Sequence, residues 1–365
     1  MRIVQASYGS SDGRRIDVTP QAARLAVAGL IAVPSNLDLN FLFSDPDAGV
    51  RKTLRLYCED QTGQQHFFEL QEIDGHLAAD FAAGEPTRRT WPHHATGGRT
   101  VCLYAYYEKN SHYRDNLAFF LRHGLLPDMD YVFVVNGSCT LDFPNARNVR
   151  VIYRDNVGFD FGGHSAALSS LTREYDYYFF LNATCRGPFL PPYVQANWTS
   201  VFAGLLTEEV HLVGASIAVQ YNFNYLPYFN AKFRWNRQYF PAVESYFFLL
   251  DKVGLDIVCE AGIFSGCDET DIWEVVFYRE ISMSLSLLSQ DFNIDCMIPE
   301  MSGIDYRSCI ANFNPSHFTP TRYLGCFGRS LHPFEVIFIK QNRGICDEAI
   351  ASLSAYFDRP VAPNP

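Results

Sequence analysis

No run in this sequence reaches the roughly 18 apolar residues that a membrane span needs. Met1-Arg2-Ile3-Val4-Gln5-Ala6-Ser7 likewise lacks the apolar core of a secretion signal. Clustered Lys and Arg are missing too. With 29 basic and 40 acidic residues the formal net charge is −11, which argues against nucleic acid as a partner and allows an anionic ligand to be handled locally. The ten cysteines form no C-x-x-C pair or other zinc-ligand spacing, and Cys58 and Cys102 lie in apolar strand-like runs. Buried thiols in a reducing compartment are the expectation. A cytoplasmic protein follows, in which Asn136, Asn182 and Asn197 carry no glycans, and peripheral contact with a membrane stays open.

What is abundant is apolar surface and aromatic rings. At 365 residues and 48% hydrophobic, the chain can bury a large core, in two domains or one large one. Aromatic residues make up 15%, with 30 Phe and 21 Tyr, many of them between Tyr104 and Tyr246. Sugars offer flat C–H faces to such rings, although core packing accounts for most of them.

Residues 1–90 read as a small β-rich accessory module. Residues 3–9 are strand-like and 20–33 suit a short helix stopped by Pro34. Residues 52–58 and 65–70, joined across Glu59-Asp60-Gln61-Thr62-Gly63, read as a hairpin. Asp45-Pro46-Asp47 is a literal D-x-D, but its proline and Gly49 make it a turn. Residues 91–99 close a stretch of Pro, Gly, His and charge without periodicity and read as the linker, with His93 and His94 in solvent.

From residue 100 to 365 strands alternate with helices. Residues 101–106, 130–135, 149–153 and 177–181 are continuous apolar runs; 113–123 carries Leu117, Phe120 and Leu121 at helical spacing, and 165–171 is helix-compatible. The pattern predicts an α/β fold, a Rossmann-like and mostly parallel sheet flanked by helices. Ligands of such sheets bind beyond the carboxyl ends of the strands. Tyr106, Tyr107, Glu108, Asn136, Asp160, Asn182, Thr184 and Arg186 are therefore expected to line one cleft. The stretch 154–168 stands at its centre, with Gly158, Gly162 and Gly163 where strand hands over to helix, so that backbone amides can approach a phosphate or a sugar.

Four segments run in order through this half: Asp155-Asn156-Val157-Gly158-Phe159-Asp160-Phe161-Gly162, the run from Tyr177 through Asn182-Ala183-Thr184-Cys185-Arg186 to Leu190, Glu244-Ser245-Tyr246-Phe247-Phe248-Leu249-Leu250, and the run from His332 to Arg343. On these segments the chain resembles a GT-A type glycosyltransferase, similar to the rhamnan synthesis F proteins. The resemblance implies hexosyl or deoxyhexosyl transfer from a nucleotide-sugar to a glycan or polysaccharide hydroxyl. It implies a donor site built from Tyr104, Tyr106, Asn136, Asn156, Gly158, Asp160, Gly162, Asn182, Thr184, Arg186, His332, Lys340 and Arg343. In residues 1–90, Ala6-Ser7-Tyr8-Gly9, Asp17-Val18-Thr19, Val33-Pro34-Ser35-Asn36 and Leu42-Phe43-Ser44-Asp45-Pro46 resemble the C-terminal domain of a DnaJ-type chaperone, which implies partner binding and no chemistry.

Glycosyl transfer needs a held diphosphate and, for inversion, a base for the acceptor hydroxyl. Asp268, Asp271 and Glu280 are the candidate catalytic acids, in and after the cluster Asp268-Glu269-Thr270-Asp271 that precedes a helix running to about residue 288. Acids in a first turn also serve simply as partners of the helix dipole. His332 precedes Pro333 in an extended context, with Glu335 and Lys340 in a strand-like run. Many GT-A enzymes carry D-x-D after the fourth strand; Asn182-Ala183-Thr184 stands there instead, and Asp128-Met129-Asp130 lies at the wrong end of a strand. Neutral oxygens hold Mg²⁺ or Mn²⁺ poorly. The need for a metal is thus open, with Arg186 or Lys340 as the other means of countering phosphate charge. The alternative function is a non-catalytic protein that binds a glycan or nucleotide-sugar.

Overall fold

In a computed structural model of the chain the described residues are 2–10, 13–23, 26–27, 30–33, 43, 46, 52–59, 63–71, 77–80, 98–221, 223–235, 237, 239–307 and 318–359. The N-terminal strands are β1 (Arg2–Gly9), β2 (Arg15–Asp17), β3 (Ala26–Val27), β4 (Leu30–Val33), β5 (Thr53–Glu59), β6 (Gln65–Gln71) and β7 (Leu77–Asp80). They make two antiparallel sheets, β2-β1-β5-β6 and β3-β4-β7, and the expected hairpin is the β5–β6 pair. Alternation along β5 sends Leu54, Leu56 and Cys58 to one face, where they meet Ile3, Ala6, Tyr8, Val18 and Ala22 in a core of their own. The helix expected over 20–33 needs correction. Among the described residues of that stretch the helix is Thr19–Ala23, and Leu30-Ile31-Ala32-Val33, an aliphatic run suited to a strand, pairs with β7 instead. Asp45, Asp47 and the linker histidines His93 and His94 lie outside the described residues.

Eleven further strands follow: β8 (Thr100–Tyr106), β9 (Asp130–Asn136), β10 (Val149–Arg154), β11 (Tyr177–Asn182), β12 (Cys185–Arg186), β13 (Val210–Gly214), β14 (Ile217–Tyr221), β15 (Tyr239–Val243), β16 (Phe247–Asp251), β17 (Asn293–Cys296) and β18 (Ile339–Lys340). Seven of them form the central sheet, in the order β10-β9-β8-β11-β16-β13-β17. The first four are mutually parallel, and β16 alone runs antiparallel to its neighbours β11 and β13. Every residue of β8 is buried, as a parallel strand covered on both faces should be.

The helix Ser111–His123 starts at Asn110, whose side chain accepts from the Tyr113 N–H, and it buries Leu117, Phe119 and Phe120. The helix after β10 spans Phe159–Ser170, earlier than the expected 165–171, so Asp160, Gly162 and Gly163 lie in its first turns. Gly163 lets it press onto β8 and β9, since a Cβ there would sit 2.9 Å from Ala105 Cβ and 3.1 Å from Asn136 Nδ2. Beyond the sheet, β14 and β15 pair as an antiparallel ribbon, and β12 pairs with β18. Among the described residues no helix is long and apolar enough to cross a membrane.

Candidate functional site

The parallel strands β8 to β11 end at one edge of the sheet, and β16, being antiparallel, begins there: Leu181 near the end of β11 pairs with Phe247. Glu244 and Ser245, just before β16, are carried to the same edge as Asn136 and Asn182. With Gln220 of the ribbon and the segment 271–280 they line a cleft of about 1140 Å³. That exceeds the roughly 300–1,000 Å³ of a pocket for one small ligand.

Asp160 stands at the sheet edge, and Asn182 Nδ2 donates to its Oδ2 at 2.8 Å. The Asn182 Oδ1 accepts from Thr184 N (3.0 Å) and Thr184 Oγ1 (2.6 Å). A backbone N–H only donates, so the orientation of the Asn182 amide is fixed: its oxygen faces Thr184 and its N–H faces Asp160.

The turn that carries Asp160 is clamped from both sides. Arg154 donates to Asn136 Oδ1 at 2.7 Å and to the Val157 carbonyl at 3.0 Å. Gly158 has φ 71°, and a Cβ there would lie 2.0 Å from the Cys267 carbonyl oxygen. The next residue, Phe159, also has positive φ (52°), a strained conformation for a side chain that lines the cleft. The loop against Gly158 is itself fixed by Arg279, which donates to the carbonyls of Gly262, Ile263, Ser265 and Gly266 and pairs with Glu269 at 2.5 Å.

Two carboxylates are buried in the lining. Glu244 accepts from Ser216 Oγ at 2.6 Å and Thr321 Oγ1 at 2.7 Å, with Lys340 Nζ 3.7 Å away. Lys340 is delivered there by the β12–β18 pair, in which it faces Cys185. Glu280 accepts from the Ser245 N–H at 2.7 Å. Burial pushes its carboxyl up, Lys340 opposes this, the charge of Glu244 adds to the rise, and the Ser245 amide again opposes. Glu280 belongs to a π-helical turn, Val276–Ile281, set between Ile272–Val275 and Ser282–Leu288. Such turns recur at functional sites, and here Phe277 and Glu280 both line the cleft.

Of the residues singled out from the sequence, the cleft lining brings together Asn136, Asn156, Asp160, Asn182, Thr184, Lys340, Arg343, Asp271 and Glu280. Asp271 also caps the helix after it, accepting from the Trp273 N–H at 2.6 Å. The others need correction. Tyr104 packs among Phe120 and Phe133 in the core, and Tyr106 is sealed with its hydroxyl donating to Glu108, whose carboxylate also accepts from Thr140. A strand covered on both faces presents neither ring; Tyr107, just past its end, lines the cleft. Arg186 is held by Asn116 and Ser354 and lies over the Phe119 ring. His332 accepts from the Phe334 N–H as the cap of the helix Pro333–Val336, which makes Glu335 helical and not part of a strand. Gly158 and Gly162 serve close backbone packing, the latter with Val157 O only 2.1 Å from a Cβ position. Asp268 is outside the lining.

Gln220, Lys109, Arg322 and Trp273 also line the cleft and were not singled out, and so do Glu244 and Ser245, which the sequence marked only as the start of a resembling segment with no site role. Glu244 had a legible signal, being the one charge in the otherwise apolar run 239–250.

Fold and site together define an open, mostly parallel α/β sheet with a polar and charged cleft at the carboxyl ends of its strands. No family model matches the chain, and no curated protein matches it in sequence. Among solved structures it is similar to the mannosyltransferase PcManGT from Pyrobaculum calidifontis, in complex with GDP-Man and Mn²⁺, at 10% identity over 55% of this chain and 54% of that one, TM-score 0.35. It is also similar to the bifunctional glycosyltransferase WbbM (8% identity, 55% of this chain and 39% of that one, TM-score 0.31) and to mouse xyloside xylosyltransferase 1 (11%, 55% and 86%, TM-score 0.28). The match thus spans about half of the first of these chains and less of the second.

Proposed function

We propose that residues 100–365 form a GT-A-like glycosyltransferase domain, similar to the rhamnan synthesis F proteins, that moves a hexosyl or deoxyhexosyl unit from a nucleotide-sugar to a glycan or polysaccharide hydroxyl. The observation that carries this reading is the meeting of four strand ends with Lys340 and Arg343 in one cleft larger than a single small ligand needs. Asn136, Asn156, Asn182 and Asp160 offer hydrogen bonds to sugar hydroxyls, and the two cations match a diphosphate. Lys340 and Arg343 stabilise the charge that develops on the departing nucleoside diphosphate. Glu280 is the base for the acceptor hydroxyl, because a carboxyl pushed up toward the working pH accepts a proton more effectively. Residues 1–90 act as a partner-binding accessory module joined through 91–99, and the protein works in the cytoplasm.

The divalent cation used by many GT-A enzymes does not fit the residues at the end of β11. The group that Asn182 turns to Asp160 is an N–H, a donor that cannot ligate, and the nearby Glu244 carboxylate is taken up by the Ser216 and Thr321 hydroxyls. Among the described residues no group of three or more His, Cys, Asp or Glu is placed to share a metal ion.

The test is to incubate the full chain with UDP-, GDP- and dTDP-sugars, follow nucleotide release with and without glycan acceptors, and measure donor binding by calorimetry. Donor binding that weakens in Asp160→Ala and transfer that fails in Glu280→Gln are expected. A chain that binds no nucleotide-sugar overturns the reading, and one that binds but never transfers is the non-catalytic binder.

A further inference from the structure

We propose that Trp273 is the stacking platform of an acceptor subsite that holds a neutral pyranose one sugar away from the reacting unit; this rests on the transferase reading. Trp273 is 57% exposed and lines the cleft, whereas Trp198 and Trp235 are buried. Its ring lies 6.2 Å from Phe277 at 29°, and Phe277 lies 3.7 Å from Tyr225 at 13°. Three rings therefore follow one another nearly parallel, and the outermost is open. At 6.2 Å the Phe277 ring is offset beside the indole, and a side chain with such a neighbour has less freedom left to lose when a ligand settles on its open face.

Polar groups of the same cleft fit a sugar. Asp271 and Glu274 accept hydrogen bonds, and Gln220 and Arg322 donate them, all from the same lining. A pyranose combines an apolar C–H face for the ring with a rim of hydroxyls for these partners. A nucleobase would bring its diphosphate toward the carboxylates of Asp271 and Glu274, which repel it. The phosphate-binding cations Lys340 and Arg343 come from a different segment.

Trp273 and Glu280 lie on one helical segment, seven positions apart, which at the α-helical rise corresponds to at most roughly 10 Å. That is about two sugar units. With the reacting hydroxyl at Glu280, the platform takes the neighbouring sugar, and the acceptor is at least a disaccharide.

The experiment is saturation-transfer NMR and calorimetry on the full chain with methyl glycosides of glucose, galactose, mannose and rhamnose, their disaccharides, and UDP and GDP, comparing wild type, Trp273→Ala and Trp273→Phe. Disaccharides are expected to bind the wild type more tightly than monosaccharides, to lose at least about tenfold in affinity in Trp273→Ala, and to keep most of it in Trp273→Phe. Nucleotide affinity is expected to be equal in all three. No saccharide contact in the wild type, saccharide binding unchanged in Trp273→Ala, or nucleotide binding lost in Trp273→Ala each overturns the subsite. If nucleotides bind normally while the saccharide arm fails, the transferase reading stands without the platform. If no nucleotide binds the wild type, both fall.

Discussion

The Asn182–Asp160 hydrogen bond offers a direct test of how the cleft handles charge. Asn182→Asp replaces an N–H donor 2.8 Å from Asp160 Oδ2 with a second carboxylate, turning Asn182-Ala183-Thr184 into an acid-bearing strand end. At that distance and an effective dielectric of about 20, two unit charges repel by about 6 kcal/mol, which is a ceiling because both side chains are half-buried and can rotate apart. The lost hydrogen bond to a charged group contributes about 1.5–3 kcal/mol of its own. A net destabilisation of about 2–3 kcal/mol at neutral pH is expected. Its sign with pH follows from the shared proton. One carboxyl of the pair has a raised pKa in the folded state, so stability is recovered as the pH falls and lost as it rises through that raised value. A divalent cation should also restore it, because two carboxylates and the Thr184 hydroxyl make an oxygen site that the natural pair does not. Thermal melts of both proteins, with EDTA and with Mn²⁺, read the effect, and donor calorimetry under the same conditions reads its consequence. A wild type whose donor binding is abolished by EDTA and restored by Mn²⁺ would refute the reasoning. So would a variant as stable as wild type without cation.

Two further outcomes are expected. Because the pKa of Glu280 is raised on folding, its contribution favours the folded state at acid pH and is lost as pH rises through the folded value; Glu280→Gln should therefore melt higher than wild type at pH 7 and flatten that slope in denaturation curves taken across pH. Arg279→Met leaves the buried Glu269 without its partner and frees four loop carbonyls, so chemical denaturation should show a loss of about 3–5 kcal/mol, partly recovered when Glu269→Gln is added, and no recovery in the double variant would count against the ion pair.

The parallel half of the sheet was legible because strands covered on both faces write themselves as unbroken apolar runs, as in 101–106 and 130–135. The same property hid the side chains. In such a strand neither alternating face is exposed, so Tyr104 and Tyr106 read as cleft rings yet lie in the core, and the available ring is the first beyond the strand, Tyr107. The glycines of 158–163 were legible as a place of close approach, but what approaches at Gly158 is the Cys267 carbonyl and at Gly163 the β8 backbone and Ala105 side chain. That depends on a loop a hundred residues away, which no local pattern contains. The second wall of the cleft was legible only at its acids Asp271 and Glu280, because Gln220 and Glu244 meet the strand ends through the β14–β15 ribbon and the reversed β16. The absence of D-x-D was plain in the sequence, whereas the direction of the Asn182 amide is set by one backbone N–H at Thr184.

The buried charges near the strand ends are coupled in a way that bears on the order of events. Glu244 has a hydroxyl donor on each of its oxygens, from Ser216 and Thr321, so it remains satisfied when Lys340 leaves. At 3.7 Å the Lys340 ammonium is beyond hydrogen-bond distance from Glu244. An entering diphosphate that draws Lys340 away leaves Glu244 hydrogen-bonded by its two hydroxyl donors, with the loss of the Lys340 attraction offset by the new contacts to phosphate. Lys340 is also the strongest influence holding the Glu280 carboxyl down. When the ammonium turns to the phosphates, that influence weakens, the phosphate charge adds to the effect of Glu244, and the Glu280 pKa rises. On the proposed reading, in which Glu280 is the base and Lys340 meets the diphosphate, donor binding would strengthen that base before an acceptor arrives. Carboxyl ¹³C NMR of Glu280, with Glu280→Gln for assignment, reads this directly: titration with GDP or UDP should move its midpoint to higher pH in the wild type and much less in Lys340→Met, and a midpoint that stays put in the wild type on saturation with nucleotide excludes the coupling.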